Sequence, residues 1–287
     1  MNFKERVAIV TGGGNGLGRA HAMALAARGA RVVVVDLAGA DAVANEIISA
    51  GGEAMAAAVS VSDREAIAAL VERVMGAFGR IDILINNAGI LRDKSFGKME
   101  YEDFVVVMDV HVTGAFVCTK AVWDIMRQQN YGRIVMTSSS SGLYGNFGQA
   151  NYGAAKMALV GFANTLAIEG AKYGIRVNAL APTAHTRMTE GLLPEAALAI
   201  LKPEALTAGM LYLASEDAPT HTVLCAGGGG FERAYVTLTK GVWLAEPERT
   251  PENVAAAYDR ISDRVNELVP AAGSEQPALE IMKAQKG

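Results

Sequence analysis

Six short runs rich in β-branched residues alternate along this chain with stretches of helical period. The runs are Val7–Thr11 and residues 31–36, 54–59, 81–85, 133–137 and 175–180; the helical stretches are residues 16–28, 41–50, 63–78, 101–129 and 152–173. A strand, a helix-length segment and another strand need a crossover connection, which returns the chain parallel to itself. Runs such as residues 32–35 carry no polar alternation, so both faces of those strands must be covered. The pattern predicts a doubly wound parallel α/β sheet of about seven strands with helices on both faces, the seventh strand lying at residues 222–226 before the glycine run 227–230. Beyond Phe231 the sequence predicts a polar extended piece and one helix, 251–268. The last stretch, 270–287, is polar and low in aromatics and is expected to be mobile.

A length of 287 residues, 51% of them apolar, suits one large sheet sandwiched between helices. A formal charge of −4 with acids and bases interspersed lacks the basic block of a nucleic-acid binder. The N-terminus lacks the apolar core of a signal peptide, and no uninterrupted apolar stretch looks long enough to span a bilayer, so a cytoplasmic protein is expected. Cys118 and Cys225 sit in apolar surroundings and read as buried free thiols. The histidines at 21, 111, 185 and 221 are too scattered to suggest a metal site.

Thr11-Gly12-Gly13-Gly14-Asn15-Gly16-Leu17-Gly18 lies between the first strand and the first helix. Glycines there permit a tight turn, let the backbone approach a pyrophosphate and let helix pack closely on strand, while the helix N-terminus offers unpaired N–H groups. A lone glycine pattern is weak evidence, but its place after the first strand of a βαβ unit predicts the dinucleotide site of a Rossmann sheet. Asp36, closing the second strand, is placed to accept hydrogen bonds from adenosine ribose hydroxyls and to repel a 2′-phosphate, which favours NAD; its plainer reading is a strand-end turn aspartate. Tyr152 and Lys156 lie four apart on one helix face. A nearby ammonium and a positive nicotinamide ring would lower a phenol pKa from its ordinary value near ~10. Ser139 follows the fifth strand at the sheet's carboxyl edge, within reach of a substrate oxygen.

With Asn86-Asn87-Ala88-Gly89 and Val177-Asn178 followed by Pro182, these motifs resemble the short-chain dehydrogenase/reductase family over nearly the whole length. The resemblance implies Tyr152 as acid/base, Ser139 as substrate anchor and Lys156 on the nicotinamide ribose. It further implies cofactor contacts from Gly12, Gly14, Asn15, Gly16, Leu17, Gly18, Asp36, Leu37, Ser60, Val61, Asn87, Ala88, Gly89, Pro182, Ala184 and Thr186. Two residues depart from the family pattern. His111 stands where an asparagine usually supports a proton relay, and reads either as a relay group or as a packed structural histidine. Thr183 replaces the usual glycine after Pro182.

Asp109-Val110-His111, residues 132–139, residues 145–152 and Arg187-Met188-Thr189 are similar to the dehydrogenase module of peroxisomal multifunctional β-oxidation enzymes of type two. That likeness implies NAD-linked oxidation of (3R)-hydroxyacyl-CoA, an acyl thioester substrate, although no hydratase or carrier module is seen after the dehydrogenase part. Alternatives are a hydroxysteroid dehydrogenase, a 3-oxoacyl-carrier-protein reductase, or a dinucleotide-sensing protein without turnover. Leu143, Tyr144, Phe147, Met188, Leu192 and Leu193 would wall an apolar pocket, or simply pack in the core. The sequence thus divides into residues 1–230, a dinucleotide-binding and catalytic domain, and residues 231–287, an extension packed on that domain or on a partner subunit. The weakly charged helices at 101–129 and 152–173 predict a homodimer or homotetramer, unless the extension covers them.

Overall fold

The computed structural model describes residues 1–184 and 199–286. The chain alternates β1 (Val7–Thr11), α1 (Gly16–Ala26), β2 (Arg31–Val35), α2 (Ala40–Ser49), β3 (Ala54–Ala57), α3 (Arg64–Phe78) and β4 (Ile83–Asn86). It continues through α4 (Tyr101–Met108), α5 (Gly114–Gln129), β5 (Gly132–Thr137), α6 (Ser140–Tyr144), α7 (Ala150–Gly170), β6 (Ile175–Thr183), α8 (Thr207–Ala214), β7 (Val223–Gly227) and β8 (Gly230–Ala234). The strands lie in the order β3-β2-β1-β4-β5-β6-β7-β8. β1 is central: Val10 pairs in parallel register with Val34 of β2 on one side and Ile85 of β4 on the other.

Strand residues are buried on both faces, and alternation decides which layer each serves. Ile9, Val33 and Val35 join residues of α3, α5 and α7, among them Val74, Val122 and Leu159, in one core. Their neighbours Val10, Val32 and Val34 join Leu25 of α1, Ile47 of α2 and Met210 of α8 in the other. Local chemistry sets the ends of α3: the Asp63 carboxylate accepts from the Ala66 N–H at 3.0 Å, and Gly79 takes a left-handed φ of 72°.

The structure corrects several expectations. The sheet has eight strands, because Gly228 and Gly229, at φ 57° and 88°, turn the chain in a two-residue hairpin and bring residues 230–234 back onto β7. Segment 101–129 is not one uniform helix: Asp109–Thr113 forms a π-helical turn between α4 and α5. Tyr101–Gln129, with mean hydropathy 1.5, is also long and apolar enough by composition to cross a bilayer, contrary to the sequence expectation. Its Val117, Cys118, Val122 and Met126 belong to the sheet core.

Two compact units emerge, Met1–Arg233 and Ala234–Gly287, the division falling at the last residue of β8. Within the second unit, Leu238 and Leu268 exchange backbone hydrogen bonds of 2.9 and 2.8 Å. The helix expected over 251–268 is two short ones, α9 (Pro251–Ala256) and α10 (Tyr258–Ile261). It stops because Asp263 accepts from the Val265 N–H at 2.9 Å and Asn266 adopts φ 58°. The C-terminal stretch expected to be mobile holds α11 (Glu275–Lys286). Gln276, Leu279 and Lys283 share one face of α11 and line a groove with Leu238, Trp243 and Ile261.

Candidate active site

A cleft of about 750 Å³ opens at the carboxyl edge of the sheet, where strand order reverses between β1 and β4. The glycine loop forms one wall. Gly12 has φ 62°, and a Cβ there would come within 2.8 Å of the Ala88 Cα; a Cβ on Gly18 would lie 2.0 Å from the Gly12 carbonyl. Asn87 clamps this loop, its side-chain amide donating to the carbonyls of Thr11 at 3.1 Å and Gly12 at 3.2 Å. Asn15 precedes α1 in extended backbone with no side-chain cap, and the first turn of α1 contains no acid. The N–H groups of that turn are therefore left for an anionic ligand.

Gly12, Asn15, Gly16, Leu17, Gly18, Asp36, Leu37, Ser60, Val61, Asn87, Ala88 and Gly89 all line the cleft, as do Pro182 near the end of β6 and Ala184 just after it. Gly14 does not. It backs the loop, where a Cβ would lie 2.0 Å from the Ala38 carbonyl and where its N–H donates to the Asp36 carboxylate at 2.9 Å. The other Asp36 oxygen accepts from the Ala38 N–H at 3.2 Å. Asp36 thus ties the glycine loop to the end of β2, as its plainer reading has it, and lines the cleft. Thr186 lies outside the described residues. An elongated cleft with an acid at one end, a glycine cradle in the middle and an open helix N-terminus fits a nicotinamide dinucleotide.

At the other end, β5 delivers Ser139 and the first turns of α7 deliver Tyr152 and Lys156, all lining the cleft. The Ser139 hydroxyl accepts from the Ser141 N–H at 3.2 Å, capping α6, and lines the cleft beside Tyr152. Lys156 is buried, donates to the Thr137 carbonyl at 2.6 Å, and lies 5.4 Å from the Tyr152 ring centroid. Burial pulls its pKa down to about 7. The phenol is held above its ordinary value, chiefly by burial, opposed by Ser139 and reinforced by the Asp93 charge. The depression expected from the sequence counts on the positive nicotinamide ring as well as the ammonium; the protein groups by themselves hold the phenol up, through desolvation. The Thr137 hydroxyl, also lining the cleft, is buried with no partner among the described residues.

His111 sits in the π turn, 2% exposed. Its Nε2 lies 3.0 Å from the Ile90 nitrogen and 2.9 Å from the Ile90 oxygen, and its ring meets that of Tyr152 edge-on at 5.4 Å between centroids. Gly89 is needed beneath it, since a Cβ there would lie 2.2 Å from the imidazole. Burial, then the Lys156 charge, lowers its pKa to about 3, so the ring is neutral. A π turn re-aims one side chain into a site, and here that side chain is His111.

Sequence reasoning gave no role to Asn146, Gln149 and Leu91, which line the cleft, or to Asp93, bound to Gln149 at 2.6 Å. Only the proximity of Gln149 to Tyr152 in the sequence hinted at it. Of the proposed apolar wall, Tyr144 and Phe147 are 74% and 90% exposed and Leu143 is half-buried. None of these three lines the cleft. Met188, Leu192 and Leu193 fall outside the described residues.

A family model described as short chain dehydrogenase matches residues 6–196. This chain belongs to that family. It is an oxidoreductase that works with a nicotinamide dinucleotide. The chain is 45% identical, over 96% of its length, to peroxisomal multifunctional enzyme A of Dictyostelium discoideum, and covers 64% of that protein. The full-length peroxisomal multifunctional enzyme type 2 of Drosophila melanogaster is similar in structure, with a TM-score of 0.87 and 40% identity, covering all of this chain and 50% of that one. A short chain dehydrogenase from Mycobacterium avium gives a TM-score of 0.80 and 36% identity over 91% of this chain and 96% of its own. The chain spans 24% to 64% of the length of the multifunctional relatives it matches and nearly the whole of the mycobacterial one.

Proposed function

We propose that this chain is an NAD-dependent dehydrogenase that oxidises (3R)-hydroxyacyl-CoA to the 3-oxoacyl thioester. The observation that carries the reading is the convergence of Ser139, Tyr152 and Lys156 at the catalytic end of a cleft whose other end holds Asp36. Similarity to enzymes named peroxisomal multifunctional supports the substrate class. NAD, when bound, supplies the hydride acceptor. Ser139 holds the substrate oxygen, and Tyr152 takes the hydroxyl proton as the carbinol hydrogen departs. Lys156 steadies the phenolate and the ribose beside it, with His111 neutral behind the phenol ring. The expected cytoplasmic location stands beside relatives named for the peroxisome. Free Cys118 and Cys225 suit either, provided thiols stay reduced there.

Turnover of acyl-CoA, steroid and simple alcohol panels, with NAD and NADP in parallel, tests the proposal. The (3R)-hydroxyacyl-CoA should give the highest kcat/KM; failure of every acyl thioester while another alcohol turns over would sink the substrate assignment. Losing a charge-assisted hydrogen bond and gaining repulsion should disfavour NADP by ~2–4 kcal/mol. Asp36→Ala should narrow that gap mainly by weakening NAD. Equal kcat/KM for both cofactors in the parent would refute the role given to Asp36.

A further inference from the structure

The loop after β4 carries Gly89, Ile90 and Leu91 along the cleft, and it is held from two sides. Behind it stands His111, bonded to Ile90. In front, the Asn151 amide donates to the Arg92 carbonyl at 3.0 Å and the Lys94 N–H donates to the Gly148 carbonyl at 2.9 Å. Lys94 also pairs with Asp103 at 2.6 Å. Gln149 completes this side. It is 8% exposed, its Nε2 donates to Asp93 at 2.6 Å, and its Oε1 accepts from the Asn146 amide at 3.1 Å. Its main-chain carbonyl accepts from the Gly153 N–H at 2.7 Å and so opens α7.

We propose that Gln149 is a positioning residue whose carboxamide, shared between Asp93 and Asn146, locks the β4 loop to the start of α7 and thereby fixes Tyr152 over the cleft. The site needs an amide: one end must donate to a carboxylate and the other accept from an amide. Glutamate cannot donate and would set a second negative charge against Asp93; an apolar side chain would leave both neighbours unpaired. Held in this way, the Asp93 carboxylate stands close enough to the phenol to oppose its ionisation. The inference rests on Tyr152 as the acid/base and not on which alcohol it serves.

Amide hydrogen exchange and steady-state kinetics on the full chain test it. In Gln149→Glu, exchange at the Ile90 and Lys94 amides should accelerate and kcat fall by about tenfold or more, with KM for NAD unchanged. Adding Asp93→Asn restores a donor–acceptor pair of reversed polarity and should return exchange and kcat to within about threefold of the parent. Parent-like exchange and kcat in the single variant, or a double variant no better than the single, would overturn the proposal. If Gln149→Glu fails to fold, Gln149→Met removes both bonds without adding charge, and the same exchange readout decides. The kinetics use whichever alcohol the parent oxidises, and exchange needs no substrate. Rejection of acyl thioesters would therefore fail the substrate assignment while leaving this test intact.

Discussion

Tyr152 stands between two buried bases, Lys156 at about 7 and His111 at about 3. It is the only one of the three with a hydroxyl to exchange with an alcohol. Tyr152→Phe keeps the ring against His111 and should leave NAD binding near the parent value while turnover falls by ~10²–10⁴. Activity within a few-fold of the parent would assign the proton to another group. His111→Asn is a milder test. The shorter amide cannot span both Ile90 and the Tyr152 edge, so kcat should fall by about tenfold, well short of the tyrosine variant. A loss as deep as that of Tyr152→Phe would place the imidazole on the proton's path. The places of Asp36, Ser139, Tyr152 and Lys156 in the cleft were legible in the sequence because loop and helix spacing bring them together. The Asp93–Gln149 pair was not, because its partners lie 56 positions apart and share no motif.

At the level of elements, α1 contains an expensive residue. His21 is fully buried, neither ring nitrogen has a partner among the described residues, and desolvation lowers its pKa to about 3. In the unfolded chain a histidine titrates near ~6.5. The unfolded state therefore binds protons first as pH falls. The stability due to a neutral His21 is complete above about 6.5 and is lost progressively between there and about 3. His111, similarly depressed, adds to the same slope, about 1.4 kcal/mol per pH unit for each group. Urea unfolding at pH 7.5 and pH 5 should show this loss, and His21→Leu should roughly halve it. The same substitution should raise stability at neutral pH by ~1–3 kcal/mol, since a buried ring nitrogen is no longer left unpaired. A pH-independent midpoint would show that neither ring is held neutral by folding. Helix periodicity could not reveal the π turn at Asp109–Thr113, because a distant contact with Ile90 helps fix it.

For the molecule as a whole, the apolar outer faces of the α4–α5 rod and of α7 form one surface. Phe116 and Phe162 lie 6.4 Å apart between ring centroids, joining α5 to α7, and Phe104, Val105 and Phe116 on one segment and Met157 and Ile168 on the other are exposed. Apolar exposure of this kind is rarely left open to water, so pairing with a second copy is expected. Light scattering at micromolar concentration should report a mass of two or four chains; a single-chain mass would refute self-association. Met157→Glu or Ile168→Glu should shift the mass toward one chain. These serve better than changes at Phe162 and Leu166, which pack against the core.

The sequence by itself determined the parallel sheet, the glycine cradle and the order in which Asp36, Ser139, Tyr152 and Lys156 reach the carboxyl edge. Period, glycine placement and a four-residue helix spacing are local constraints that sequence carries directly. Packing between remote segments settled three other matters: the burial of the Tyr152 phenol, the placement of Gly14 behind its loop, and the π turn that brings His111 against Tyr152. Each depends on how much water and which charges are left around a group once remote segments close over it, and that is set by packing rather than by neighbours in the chain.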